Sequence, residues 1–186
     1  SASPSIINEG EATNLTWSST NASSCSATNI SGVSEISGIK PYTAPSNVTI
    51  NQTVNIVVTC VGPGGSASAT VPVTINAIND KPVLTVQTSV SATEDTAFTI
   101  PFTMSDEETA NSDLIVTAVS SDATKVANSG ITVDKTNNRL HITPVANANG
   151  NLTITLRVAD PQGLYEEKTI SVAIAAVDDA PVISPI

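Results

Sequence analysis

The sequence predicts an all-β protein of two tandem antiparallel β-sandwiches, the second longer than the first. Three observations carry this reading. Ser, Thr, Asn, Val and Ile dominate a chain with only 13% charged and 3% aromatic residues; β-branched side chains suit a pleated surface and lose rotamer freedom on a helix. Apolar and polar residues alternate over several short segments, as strands with one buried face require. Finally, Ile78-Asn79-Asp80-Lys81-Pro82-Val83-Leu84 returns near the end as Val177-Asp178-Asp179-Ala180-Pro181-Val182-Ile183. A linker repeated at the edges of a unit marks a tandem array. The 186 residues therefore divide into a module over 1–78, a second over 79–179, and the start of a third at 180–186.

In the first module Thr13, Leu15 and Trp17 form one apolar face, and Val54, Ile56, Val58 and Cys60 a second. Ala67, Ala69, Val71, Val73 and Ile75 form a third, interleaved with Ser66, Ser68, Thr70, Pro72 and Thr74. Gly62-Pro63-Gly64-Gly65 is a turn between the last two. Cys25 and Cys60 both fall on strand segments, with Cys60 on the core-facing register, which points to a disulfide; closing that loop stabilises by roughly 3 to 4 kcal/mol on the chain-entropy model. The alternative is two buried thiols in a reducing compartment. A metal site would need further Cys or His ligands, which are not nearby.

The stretch from Asn8-Glu9-Gly10-Glu11 to Trp17, with Ser24-Cys25 and Thr59-Cys60-Val61-Gly62, resembles the bacterial immunoglobulin-like repeats of exported proteins. Trp17 precedes both cysteines instead of lying between them, so the antibody arrangement does not transfer. Cys25 and Cys60 are expected on neighbouring strands.

For the second module the alternation predicts strands near 83–90, 96–104, 113–120, 130–133, 139–143, 151–159 and 168–176, with a short or irregular one near Lys125. Seven antiparallel strands place the chain ends at opposite poles, and two modules so joined should form a rod of roughly 70 to 80 Å. Counting strands up and down also sorts the acids. Asp80, Asp106, Glu108 and Asp160 converge at the upper pole, while Glu94 meets Asp178 and Asp179 at the lower. Gathered carboxylates repel unless a cation sits among them, and Ca²⁺ takes six to eight such oxygens. Each acid also has a reading without metal: Asp160-Pro161-Gln162-Gly163 fits a type I turn, Asp106-Glu107-Glu108 a solvated loop, and Asp178-Asp179 a charged linker.

Asn79-Asp80-Lys81-Pro82-Val83, Glu94-Asp95-Thr96 and Asp160-Pro161-Gln162-Gly163 resemble motifs of the cadherin-like repeats of bacterial adhesins and exported polysaccharide-active proteins. The resemblance implies calcium between domains, held by Asp80, Glu94, Asp106, Glu108, Asp160, Asp178 and Asp179. Glu108 stands where the family's Asp-x-Asp pair has its second Asp, and no Asp-Arg-Glu segment is found, so one ion per junction is expected.

The chemistry of catalysis is not written here. The single histidine, His141, lies on a polar register beside Arg139, away from the buried, carboxylate-oriented setting of a hydrolase triad. The acids fall at sandwich poles and not across a sugar cleft, and no glycine loop carries the Lys of a phosphate site. A net charge of -10 repels nucleic acid and anionic membranes, and no apolar run reaches the ~20 residues that span a bilayer. The six Asn-x-Ser/Thr sequons follow from composition. The ends read as cut points in a larger exported or cell-surface bacterial protein. The expectation is a monomeric, non-catalytic spacer of an adhesin whose partners are its neighbouring modules. The alternative is a carbohydrate- or protein-binding accessory module of an exported polysaccharide-active enzyme, for which only Tyr42 and Tyr165 could offer exposed aromatic platforms.

Overall fold

Residues 1–179 are described by a computed structural model, in which the chain divides after Asn79, one residue later than expected. The expected start of a third module at 180–186 lies outside the described residues. No described helix is long and apolar enough to cross a membrane.

The first unit contains β1 (Ala2–Ser3), β2 (Ile6–Asn8), β3 (Ala12–Ser18), β4 (Ser24–Ala27), β5 (Ser37–Thr43), β6 (Gln52–Gly62) and β7 (Gly65–Asn76). They form sheets of order β1-β3-β5 and β2-β7-β6-β4. Leu15, Ile56, Val73 and Ile75 are fully buried between them, as their alternation predicts. The Gly-rich turn closes the β6–β7 hairpin, with Gly65 at φ +119°, a conformation that L side chains rarely adopt. The apolar face of β7 is shorter than expected. Ala67 and Ala69 are exposed, and burial begins only near Val71. Residues 65–70 of β7 contribute no buried residue to the core, so the alternation at Ala67 and Ala69 records a stretch without a covered face.

Cys25 lies directly opposite Cys60 on neighbouring strands β4 and β6, and the two are joined by a disulfide. The Cys25 N–H turns outward to the Ser34 carbonyl. The pair therefore occupies a non-hydrogen-bonded position, where cross-strand side chains approach most closely. Trp17 pairs with Gly38 across β3 and β5, and its ring lies where a side chain at 38 would begin: a Cβ there would meet ring carbons at 2.9 Å. The indole N–H donates to the Glu35 carbonyl at 3.0 Å.

The second unit contains β8 (Val83–Val86), β9 (Ser89–Thr93), β10 (Phe98–Ser105), β11 (Ile115–Ser120), β12 (Ile131–Asp134), β13 (Arg139–Ile142), β14 (Gly150–Ala159) and β15 (Tyr165–Ala175). Its sheets are β12-β13-β10-β8 and β11-β14-β15-β9. Ile100, Leu140, Ile154, Leu156 and Ile170 are fully buried between them. No strand forms near Lys125. A turn there buries Val126 completely, and Asp122 holds it by accepting hydrogen bonds from Thr124 and Lys125.

Both units divide their first strand between two sheets, where the sequence predicts a single strand over 83–90 in the second. β1 pairs with β3, but β2 pairs with β7; β8 pairs with β10, but β9 pairs with β15. The β2–β7 and β9–β15 pairs are parallel, the exceptions in an otherwise antiparallel architecture. The poles of the second unit survive this change. Val83 lies opposite Ser105, and Ala159 opposite Tyr165, so chain entry and the residues after β10 and β14 share one end. Thr93 opposite Ala175 places Glu94 and the chain exit at the other.

Candidate functional site

At the upper pole of the second unit, Asp106 is the first residue after β10. Its Oδ1 accepts the N–H groups of Glu108 at 3.1 Å and Thr109 at 2.8 Å, winding the loop back on itself as Asp commonly does in turns. Glu108 Oε2 accepts the Asp80 N–H at 3.2 Å, and one carboxylate oxygen of Asp80 lies within 4.8 Å of one of Glu108. Asp106 Oδ2 and Glu108 Oε1 are both buried and accept no hydrogen bond. Buried carboxylate oxygens left in this state are costly, and a hard cation is one group that satisfies them.

Asp160 follows β14 and is 2% exposed. Its Oδ1 accepts the N–H groups of Gly163 at 2.6 Å and Leu164 at 2.9 Å, the turn that its sequence predicts, with Gly163 at φ +102°. Topology brings Asp160 to the same end as Asp106. Sequence reasoning missed the cation of this pole: Lys81 Nζ lies 2.5 Å from Glu166 Oε2, and Lys168 Nζ is 2.6 Å from Glu166 Oε1. The hydrogen bond from Lys168, then that from Lys81, holds the Glu166 carboxyl at about 2. No local pattern could announce the Lys81–Glu166 pair, whose members are 85 apart in sequence.

At the lower pole Glu94 is 4% exposed, and each of its oxygens has a partner. Oε1 accepts the Val177 N–H at 2.7 Å, and Oε2 accepts the Asn149 side-chain amide at 3.1 Å. Its neighbour Asp95, in the left-handed region at φ +57°, accepts the Asn147 N–H at 2.9 Å. Asp178 and Asp179 follow Val177 and are exposed.

The aromatic side chains offer little open surface. Tyr42, expected as a candidate for exposure, is buried at 8%, and burial raises its hydroxyl pKa. It projects inward from β5 because the register Tyr42 opposite Thr13 sets it on the core face. Tyr165 is 46% exposed, yet the Arg157 guanidinium covers one ring face at 3.5 Å from its centroid. His141 is exposed, with Nε2 3.7 Å from Asp134.

Residues 79–173 match the family model described as a bacterial Ig domain. No curated protein matches the sequence. Among solved structures, the fibronectin(III)-like modules of Clostridium thermocellum CbhA are similar at 14% identity and TM-score 0.38, over 96% of this chain and 94% of that one. Domains 1–6 of the surface layer protein SbsC are similar at 16% identity and TM-score 0.44, over 84% of this chain and 20% of that one. Mouse cadherin-23 EC22-24 is similar at 11% identity and TM-score 0.47, over 92% of this chain and 62% of that one.

Proposed function

Because this chain belongs, through residues 79–173, to the bacterial Ig domain family, an extracellular structural module with no catalytic family matched, we propose that it serves as a spacer in a bacterial surface or secreted adhesin, stiffened by Ca²⁺ where modules join. The observation that carries the calcium reading is the pair of buried, unaccompanied oxygens, Asp106 Oδ2 and Glu108 Oε1, beside the Asp80 carboxylate. Asp80, Asp106 and Glu108 would hold the ion, with Asp160 at the same pole. Asp80 begins the second unit, so an ion that ties it to the loop after β10 restrains the chain where it enters. The ion would supply charge neutralisation and a fixed set of oxygen contacts. Glu94, Asp178 and Asp179 remain the proposed ligands of a lower site; the engagement of both Glu94 oxygens supports weaker binding there.

The spacer reading is also supported by the aromatic side chains, since stacking on sugars needs an uncovered ring. Trp17 packs on Gly38, Tyr42 is buried, and Tyr165 lies under Arg157.

Calorimetry with Ca²⁺ and melting with and without chelator test the proposal. The expected Kd is roughly 10⁻⁴ to 10⁻³ M, the range of extracellular modules. Calcium at ten times Kd should then stabilise by about 1.4 kcal/mol, and Asp106→Ala should abolish the effect. An unchanged melting temperature and no binding heat would mean that these acids are solvated turns.

A further inference from the structure

Glu9 and Glu94 occupy the same place in two units of different sequence. Glu9 follows the last residue of β2, which pairs with Asn76; Glu94 follows the last residue of β9, which pairs with Ala175. The Glu9 N–H donates to the Asn76 carbonyl at 3.0 Å, and the Glu94 N–H donates to the Ala175 carbonyl at 3.0 Å. Each carboxylate then reaches two residues further along the departing chain. Glu9 Oε1 accepts the Ile78 N–H at 2.7 Å, and Glu94 Oε1 accepts the Val177 N–H at 2.7 Å. The residue after each glutamate is left-handed, Gly10 at φ +70° and Asp95 at φ +57°. We infer that Glu9 and Glu94 are equivalent exit latches, positioning residues that fix where the chain leaves each module and that need no cation to do so.

The charge is suited to the task. Among the described residues no strand pairs with Ile78 or Val177 beyond β7 and β15, and a carboxylate is a stronger acceptor than a neutral oxygen. Its second oxygen anchors it: Glu9 Oε2 accepts the Val48 N–H at 2.8 Å, whereas Glu94 Oε2 accepts the Asn149 side-chain amide. This difference gives the two latches different tolerances. A glutamine at 9 has one carbonyl oxygen for two main-chain donors, so its NH₂ must oppose one of them. A glutamine at 94 can keep its carbonyl on Val177, because the Asn149 amide can rotate and offer its own oxygen to the new NH₂.

The test is amide hydrogen exchange of the whole chain by NMR in excess chelator, read at Ile78 and Val177 against the core amides of Ile56 and Ile154. Glu9→Ala should speed exchange at Ile78, and Glu94→Ala at Val177, by about ten- to a hundredfold relative to the core amide of the same unit. Glu9→Gln should speed exchange at Val48 or Ile78, while Glu94→Gln leaves Val177 within about twofold of the parent. Should an alanine variant fail to fold, the glutamine pair carries the test. Unchanged exchange in the substituted unit, equal effects of the two glutamines, or parental protection that appears only with added Ca²⁺ would each overturn the inference.

Discussion

Glu166 ties two distant segments together and Asp122 closes its own turn, each through a single carboxylate. Lys168 and Lys81 lower Glu166 from 4.5 to about 2, and Lys125, then Thr124, lowers Asp122 from 3.8 to about 2. A carboxyl depressed in the folded state contributes its stability fully above the unfolded value and loses it as pH falls toward the folded one. Stability should therefore decline between about pH 4.5 and pH 2 as these two groups protonate. Denaturant midpoints across that window should fall less steeply in Glu166→Gln than in the parent, and the difference should shrink in high salt, because the pairs are solvent-screened. An identical slope in the variant would remove Glu166 from the account. At this scale the sequence identified Asp106, Glu108 and Asp160 as candidates because each follows a recognisable strand. It could not reveal Glu9, Lys81 or Glu166, because Glu9 meets Ile78 and Lys81 meets Glu166 across long stretches of chain.

Individual elements were legible where a buried face is continuous. In β10, β14 and β15 the predicted apolar positions Ile100, Leu156 and Val172 are buried in register, whereas the Ala positions of β7 misled because alternation reports pleat and not cover. The Trp17–Gly38 pair is a device of this scale, with the glycine leaving the cross-strand space for the indole. Gly38→Val should displace the ring and destabilise the first unit by about 1–3 kcal/mol, read as a lower denaturant midpoint with altered tryptophan fluorescence. Unchanged fluorescence would show that the ring does not depend on that space. The exposed edge of β11 is guarded similarly. Asn128 accepts the Ser120 N–H at 2.9 Å, and Lys135 donates to the Leu114 and Ser112 carbonyls at 2.5 and 2.8 Å. Satisfying edge groups in this way discourages pairing with another chain.

The molecule as a whole rests on two separate cores of different make. The second is rich in Leu and Ile, including Leu140, Leu152 and Leu156, while the first has Leu15 as its buried leucine among Ile, Val and Tyr42, with the Cys25–Cys60 disulfide beside them. Reduction should therefore act on one unit alone. With the cysteines 35 apart in sequence, the lost cross-link should cost the first unit about 3–4 kcal/mol. Scanning calorimetry with reductant should move one transition down by about 4–8 °C per kcal/mol and leave the other in place. A shift of both transitions together would show that the units do not unfold independently.

Composition, alternation and the repeated Asn79-Asp80 and Asp178-Asp179 linker determined the fold class, the division near residue 79 and most strands. These are local or periodic signals, set by β propensity and by one-sided burial. The core-facing register of Cys60 points to a disulfide from the sequence alone. Tertiary structure alone decided that the first strand of each unit crosses between sheets, that Val126 fills the core from a turn, and that Tyr42 faces inward. It also decided which acids already have partners: both Glu94 oxygens are engaged, while Asp106 Oδ2 and Glu108 Oε1 accept no hydrogen bond. The physical reason is that a pleat can be read along one strand, but a hydrogen-bond partner belongs to whichever segment the fold brings beside it.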